Sequence, residues 1–402
     1  MIGREVSYRH LVRILIAVRK GFFLTLFHLQ PPRIGGGATG TMEEFGGPYP
    51  RPFTRDFDAW SRAVTPARID ELRRDGFTVV DDFLGGGGAD GDDDTDAGSS
   101  PSPSNNGDAW ALALREEIEW LSSKDGVMRP NRTHFANPKG ERFLFAKPGI
   151  AEADMHDDSV AALVPELRAF FEAASTAFAD AFDPAKDTSP SSDKYAYELS
   201  KGHGARTVKL QVNDGTGGCF PTHYDNPGPP SKRALTCILY LNPHWVDGHG
   251  GELDLMPFCA TPVRVVPKLG RLVAFLSDRV MHRVTPARAT RHCLTVWVDG
   301  PCVNAPETCG LSLPPSAMAD IPGTARSLRM SPSQRVISRW CYPDEYEASL
   351  RECMRDAEGG DEMVTSHSVH LAKLRDNPPL RKLVDALRTH RREVEGKQKV
   401  IR

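Results

Sequence analysis

From Thr207 the apolar positions recur every second residue. Val208, Leu210 and Val212 alternate with Thr207, Lys209 and Gln211, the period of a strand with one face buried. Short runs of the same character follow at 235–241, 252–256, 263–266, 272–276, 283–285 and 292–298, parted by glycine, proline and Asn242. Upstream the spacing is helical. Trp110, Leu112, Leu114, Ile118 and Leu121 mark 109–122, and Phe170, Phe171, Phe178 and Phe182 mark 160–182, where aromatic side chains are packing groups rather than a cofactor box. Earlier still, Thr65-Pro66-Ala67-Arg68 opens a helix with proline in its first turn, Gly76 closes it, and Phe77–Val80 reads as a strand. Helix, strand, two helices and then many short strands predict a mixed α/β (α+β) fold: a double-stranded β-helix, or jelly roll, with flanking helices.

The remaining stretches divide the chain. Residues 35–64 read as a Gly/Pro linker and 65–300 as the main domain. Within it, 85–108 is an insertion of glycines, acids, serines and prolines expected to be disordered. The stretch 126–148, with Arg129, Arg132, His134 and Arg142, is expected to be a loop near the site mouth. Residues 301–402 form a Pro/Ser connection over 304–331 and a helical extension, with helices at 344–356 and 370–394, the second region broken by Pro378-Pro379. The basic end (Arg391, Arg392, Lys397, Lys399, Arg402) has the look of a solvated, frayed terminus.

Residues 1–34 carry Arg4, Arg9, Arg13, Arg19 and Lys20 against Glu5. That pattern suits an organellar targeting helix, with a basic surface helix as the alternative. Its apolar runs fall short of the roughly 20 residues of a membrane span. Cytoplasmic or nuclear placement is the preferred expectation, with organellar targeting by this segment as the alternative. A net charge of −3, from 50 basic and 53 acidic residues, argues against a dominant nucleic-acid surface. The eight cysteines are scattered without a Cys-x-x-Cys pair and read as buried free thiols in a reducing compartment.

The candidate chemistry lies at His223-Tyr224-Asp225, with His282 and Arg291 downstream. Residues i and i+2 of a strand point to one side, so His223 and Asp225 can reach one ion, and His282 would come from a strand folded back beside them. Two histidines and one carboxylate form the facial triad of non-haem Fe(II), which leaves positions open for cosubstrate and oxygen. Arg291 offers a fixed, two-pronged cation to a carboxylate. A second His-x-Asp, His156 to Asp158, has nothing downstream to complete it. Gly250-Gly251 fits a turn where bare backbone passes close to a neighbour. Neither this pair nor Gly215–Gly218 is followed by the Lys-Ser/Thr of a phosphate loop. His203, His244, His249 and His292 are expected on loops or at the surface.

Three further runs surround these residues. They are Thr236-Cys237-Ile238-Leu239-Tyr240-Leu241-Asn242 with Trp245, Leu276-Ser277-Asp278-Arg279 with His282, and Ala289-Thr290-Arg291 ending in Leu294-Thr295-Val296-Trp297. Together they resemble the prolyl hydroxylases that act on hypoxia-inducible factor. More broadly the chain is similar to 2-oxoglutarate/Fe(II)-dependent dioxygenases of the prolyl 4-hydroxylase type, over about 206–299 with a weaker echo near 66–84. The resemblance implies His223, Asp225 and His282 as iron ligands. It implies Arg291 and Tyr240 as partners of the distal carboxylate of 2-oxoglutarate, and Thr295 and Trp297 as lining of the cosubstrate pocket. Arg233 would lie beside a loop covering the substrate. Fe(II), 2-oxoglutarate and O2, with ascorbate in addition, are the implied cofactors and cosubstrates. The chain departs from the family at 212–220, where no tyrosine precedes the glycine-rich turn.

The activity implied is hydroxylation of a protein or peptide side chain, prolyl foremost, with release of succinate and CO2. Because the carboxylate ligand Asp225 is present, hydroxylation is favoured over halogenation. Two alternatives share the scaffold: a dioxygenase of a small metabolite or nucleobase, and a non-catalytic binding module. Nucleic acid is disfavoured by the charge balance and by the lack of a basic, aromatic groove signature. The oligomeric state is left open.

Overall fold

A computed structural model describes residues 58–84, 105–136, 142–181, 205–226, 231–300, 315–355, 359–396 and 399–401, with Tyr49, Gly228 and Leu313 as single positions. The segment 1–34, most of the expected insertion 85–108, His203, Cys302 and Cys309 lie outside the described residues. No helix among the described residues is long and apolar enough to cross a membrane.

The first ordered element corrects the linker expectation. Within 35–64, Asp58–Ala63 is a helix, α1, and its Trp60 is almost wholly buried. The indole packs 4.7 Å from Phe83 and donates to the Phe170 carbonyl at 2.8 Å. One tryptophan in a six-residue helix leaves too short a periodic signal to read. The next helix, α2 (Pro66–Asp75), starts and stops as its sequence predicts. The Thr65 hydroxyl accepts from the Arg68 amide, and Gly76 takes the left-handed conformation at φ +84°. A cap of this kind contributes about 1 kcal/mol. Strand β1 (Phe77–Val80) follows, then α3 (Asn105–Ser122).

The stretch expected as a loop near the site mouth is instead a hairpin: β2 (Arg129–Ala136) pairs antiparallel with β3 (Arg142–Asp154). Its residues concealed it. Among the described side chains of β2, Asn131 and Thr133 are the buried ones, so polar side chains occupy inward positions where the pattern seeks apolar ones. Helices α4 (Asp158–Leu163) and α5 (Pro165–Ala181) follow.

Strands β4 (Ala205–Asn213), β5 (Phe220–His223), β6 (Arg233–Tyr240), β7 (Leu253–Pro257), β8 (Val263–Val265), β9 (Leu272–Leu276), β10 (Val280–Val284) and β11 (Arg291–Asp299) build the barrel. The larger sheet has the order β1-β9-β6-β11-β4-β3-β2. Its outer face packs Leu210, Leu239, Leu294 and Val296 against Leu114, Ile118, Phe170 and Phe171 of α3 and α5. The alternate residues, including Ile238, Tyr240 and Cys293, face inward and meet Leu253, Leu255 and Val280 of the smaller sheet. Two sheets face to face around one apolar interior are the expected jelly roll.

The C-terminal extension is more regular than its Pro/Ser content suggests. Ile321–Arg329 is a helix, α6, inside the expected connection 304–331; Asp320 caps it and Pro322 sits in its first turn. Helices α7 (Gln334–Cys341), α8 (Pro343–Cys353), α9 (Gly360–Ala372) and α10 (Pro378–Val394) follow. Pro378-Pro379 starts α10, with the Asn377 side chain accepting from the Leu380 amide. These helices cover the outer face of the smaller sheet: Tyr224, Met256, Phe258 and Met281 pack against Leu328, Ile337, Tyr342 and Leu383.

Two further expectations are corrected here. The terminus is not frayed: β12 (Lys399–Ile401) pairs in parallel with β8, and the Ile401 carbonyl accepts from buried Arg271 at 2.8 Å. Arg271 also grips Asp81 with two prongs, 2.6 and 2.9 Å. Not all thiols are free either. Cys219 and Cys353, Cα atoms 5.5 Å apart, form a disulfide, while Cys237, Cys259, Cys293 and Cys341 are free and buried. The pair is separated by 134 residues. Only the docking of α8 against β5 brings its members together, through Thr222, whose amide donates to Ser349 Oγ at 3.0 Å.

Candidate metal and cosubstrate site

His223 ends β5, and the antiparallel register sets it directly opposite His282 on β10. The two rings have centroids 4.3 Å apart. Asp225, two residues on from His223, returns to the same side. Its Oδ1 lies 3.4 Å from His223 Nε2 and 3.7 Å from His282 Nε2. All three donor atoms fall within 4.8 Å of one another, so the cluster could hold one metal ion.

The surroundings prepare these donors. His223 Nδ1 is 2.8 Å from the Pro221 carbonyl and His282 Nδ1 is 3.2 Å from that of Val280. A proton on each Nδ1 is thereby engaged by a carbonyl, which leaves the Nε2 lone pair free for a metal. Burial, with His223 alongside, pushes His282 down to about 4, so it is neutral at pH 7. Burial alone would raise the Asp225 carboxyl, but His282 and His223 hold it well below the usual carboxylate range. Its Oδ2 accepts from Thr236 Oγ1 at 2.7 Å and from Trp297 Nε1 at 3.0 Å. Thr236 is in turn 2.8 Å from Ser277 Oγ. Two imidazole nitrogens and one carboxylate oxygen on one side of an ion suit a divalent first-row metal such as Fe(II).

Along β11 the side chains of Arg291, Cys293, Thr295 and Trp297 alternate onto one face. Trp297 meets the cluster; Arg291 stands at the other end, buried, 5.0 Å above the Tyr240 ring. Its NH1 donates to Cys293 Sγ at 3.3 Å. Tyr240 Oη and Arg291 Nε are buried and find no hydrogen-bond partner among the described residues. Burial pushes Tyr240 up to about 12, which keeps its hydroxyl a donor. A cation and an unused hydroxyl facing the barrel interior fit a carboxylate. Gly251, at φ +75°, lets the backbone pass: an added Cβ would stand 2.7 Å from Arg291 Cδ. Thr295 is buried between the two ends, and Arg233 lies over the Trp297 ring at 4.3 Å.

The sequence-derived residues therefore converge. The second His-x-Asp does not join them: Asp158 is the first residue of α4, and among the described residues neither it nor His156 belongs to a metal-donor cluster. His292 is not at the surface but buried on the helix side of β11. Sequence reading missed Thr236 and Ser277 as partners behind Asp225, although both fall inside the quoted runs. It also missed Lys147, whose only signal was a strand hidden in the misread hairpin.

Fold and donor set define a class: a jelly roll with a two-histidine, one-carboxylate cluster at one end of its interior and a buried arginine at the other. Residues 208–299 match the family model described as 2OG-Fe(II) oxygenase superfamily. The chain is 38% identical to a structurally solved prolyl 4-hydroxylase from Phytophthora capsici, with a TM-score of 0.66, over 87% of this chain and 99% of that one. It is 42% identical over 106 residues to human prolyl hydroxylase EGLN3, covering 26% of this chain and 41% of the relative. Against human Egl nine homolog 1 it is 43% identical over 93 residues, 22% and 21% of the two chains. The match thus spans less than half the length of these two curated relatives. The chain belongs to the 2OG-Fe(II) oxygenase superfamily and is homologous to its prolyl hydroxylases.

Proposed function

We propose that this protein is a 2-oxoglutarate- and Fe(II)-dependent dioxygenase that hydroxylates a prolyl residue of a protein or peptide and releases succinate and CO2. The observation that carries this reading is the placement of three metal donors and the Arg291–Tyr240 pair at opposite ends of one barrel interior. His223, Asp225 and His282 hold Fe(II). Arg291 and Tyr240 hold the distal carboxylate of 2-oxoglutarate, Thr295 and Trp297 line the space between, and Arg233 faces the substrate side. The bound iron supplies dioxygen activation and the oxidation of an unactivated C–H bond.

The protein's own contribution is orientation and dryness. Thr236 and Trp297 fix the carboxylate of Asp225 so that Oδ1 is presented to the metal. Phe275, with its ring centroid 4.6 Å from that of His282, and Ile238 and Val273 keep water from the interior. Trp297→Phe keeps the ring and deletes the N–H to Asp225 Oδ2. It is expected to lower Fe(II) affinity roughly 10- to 100-fold, measured by anaerobic competition with a chelator. An unchanged affinity would show that this bond does not position the ligand.

The test of function is incubation with Fe(II), 2-oxoglutarate, ascorbate and oxygen against a library of proline-containing peptides, read by mass spectrometry and succinate release. One oxygen atom gained on proline per succinate formed is the expected result. Stoichiometric succinate only with small metabolites would move the substrate to that class. No succinate under any condition would leave a binding module.

A further inference from the structure

We propose that Lys147 is a second cosubstrate anchor, its ammonium donating to the metal-bound carboxylate of the 2-oxo acid while Arg291 holds the opposite end. The proposal rests on the function proposed above. Lys147 lies on β3 and is 4% exposed. Its Nζ stands 3.6 Å from the centroid of the Phe220 ring, and that ring stacks on His223 with centroids 6.3 Å apart and planes 26° from parallel. The Phe220 ring thus links the ammonium to the first metal donor. Its electrostatic neighbours are Glu152, Lys209 and Asp225.

None of these accepts a hydrogen bond from it. Asp225 presents Oδ1 to the histidines and Oδ2 to Thr236 and Trp297. Glu152 is occupied by Lys209 Nζ at 2.6 Å and Asn131 Nδ2 at 2.5 Å. Among the described residues no acceptor takes any of the three Lys147 protons. A buried ammonium without an acceptor is costly, and burial pushes Lys147 down to about 7. Nor is its placement loose. An added Cβ on Gly218 would stand 2.6 Å from Ile150 Cγ1 and 2.8 Å from the Pro148 carbonyl. The strand that carries Lys147 is thus pressed against the turn that leads into β5.

A 2-oxo acid that chelates a metal through its keto and carboxylate oxygens leaves one carboxylate oxygen off the metal. That oxygen is anionic and, inside a closed barrel, needs a donor. Arg291 is at the far end of β11, and Arg233 is stacked on Trp297 on the flank of Asp225. Among the described residues, Lys147 is a cation on the Phe220–His223 side with donors to give.

The experiment is an anaerobic titration of the Fe(II) protein with 2-oxoglutarate and with 2-oxobutyrate, which lacks the distal carboxylate, followed by the metal-to-ligand absorption band. Lys147→Met should weaken both acids by a similar factor, roughly 10- to 100-fold. Fe(II) affinity, by chelator competition, should be unchanged, and Lys147→Arg should recover part of the loss. Arg291→Ala, in contrast, should weaken 2-oxoglutarate alone. Lys147→Gln serves where the methionine variant does not fold. Wild-type affinity for both acids in the variant overturns the proposal, as does an equal loss of Fe(II), which would mark a structural role. A loss confined to peptide affinity assigns Lys147 to the substrate instead and overturns it as well. Absence of the band in the wild-type protein refutes the functional reading itself, independently of any variant.

Discussion

His282→Ala is expected to give a folded protein that no longer retains Fe(II) and shows no turnover. His282 faces His223 across the β5–β10 register, and its imidazole is one of the three donors that, among the described residues, lie within reach of one ion. Its loss leaves two donors and an unsatisfied Val280 carbonyl, the latter costing about 1–3 kcal/mol. That is tolerable where Leu253, Leu255, Val265 and Phe275 keep the apolar interior packed around the site. Asp225→Ala should act alike on iron, and in addition remove the carboxylate that accepts from the Thr236 hydroxyl and the Trp297 N–H. Chelator competition and metal analysis measure the iron; circular dichroism and thermal unfolding check the fold. Stoichiometric iron with full activity in either variant would sink the assignment of the triad.

Arg291→Ala should separate cosubstrate from metal. Truncating one member of a buried charge pair costs roughly 2–5 kcal/mol of binding, a loss of about 30- to several-thousand-fold. The 2-oxoglutarate requirement should rise by such a factor. Fe(II) affinity should hold, because Arg291 is separated from the triad by the positions of Cys293, Thr295 and Trp297 along β11. Arg291→Lys keeps the charge without the fork and should fall between. Titrating 2-oxoglutarate and Fe(II) independently decides the matter, and parallel losses in both would count against the role.

The barrel was legible because β4 alternates apolar and polar residues and β6, β9 and β11 are short apolar runs parted by glycine, proline and asparagine. The triad was legible because residues two apart in extended backbone turn to one side, and this holds although β5 ends at His223. The β2–β3 hairpin was not, since Asn131, Thr133 and Lys147 place polar groups where the pattern seeks apolar ones. A six-residue helix around Trp60 offers a single landmark. The Cys219–Cys353 bond depends on how α8 docks, and local spacing carries no information about that. Lys147 went unseen for the same reason as its strand.

The helices after residue 315 stand directly behind the metal-bearing strands. Tyr224, between two of the proposed ligands, buries its ring among them and donates to Gln334 Oε1 at 3.0 Å. Met281, beside His282, packs there too, and Arg283 reaches Glu352 at 3.1 Å. A chain shortened at residue 300, where the family segment ends, would uncover that apolar face and should precipitate rather than yield a minimal enzyme. Proteolytic nicking between residues 300 and 343 should have a different fate. The halves remain tethered through Cys219 and Cys353 and should migrate as one species until a thiol reductant parts them.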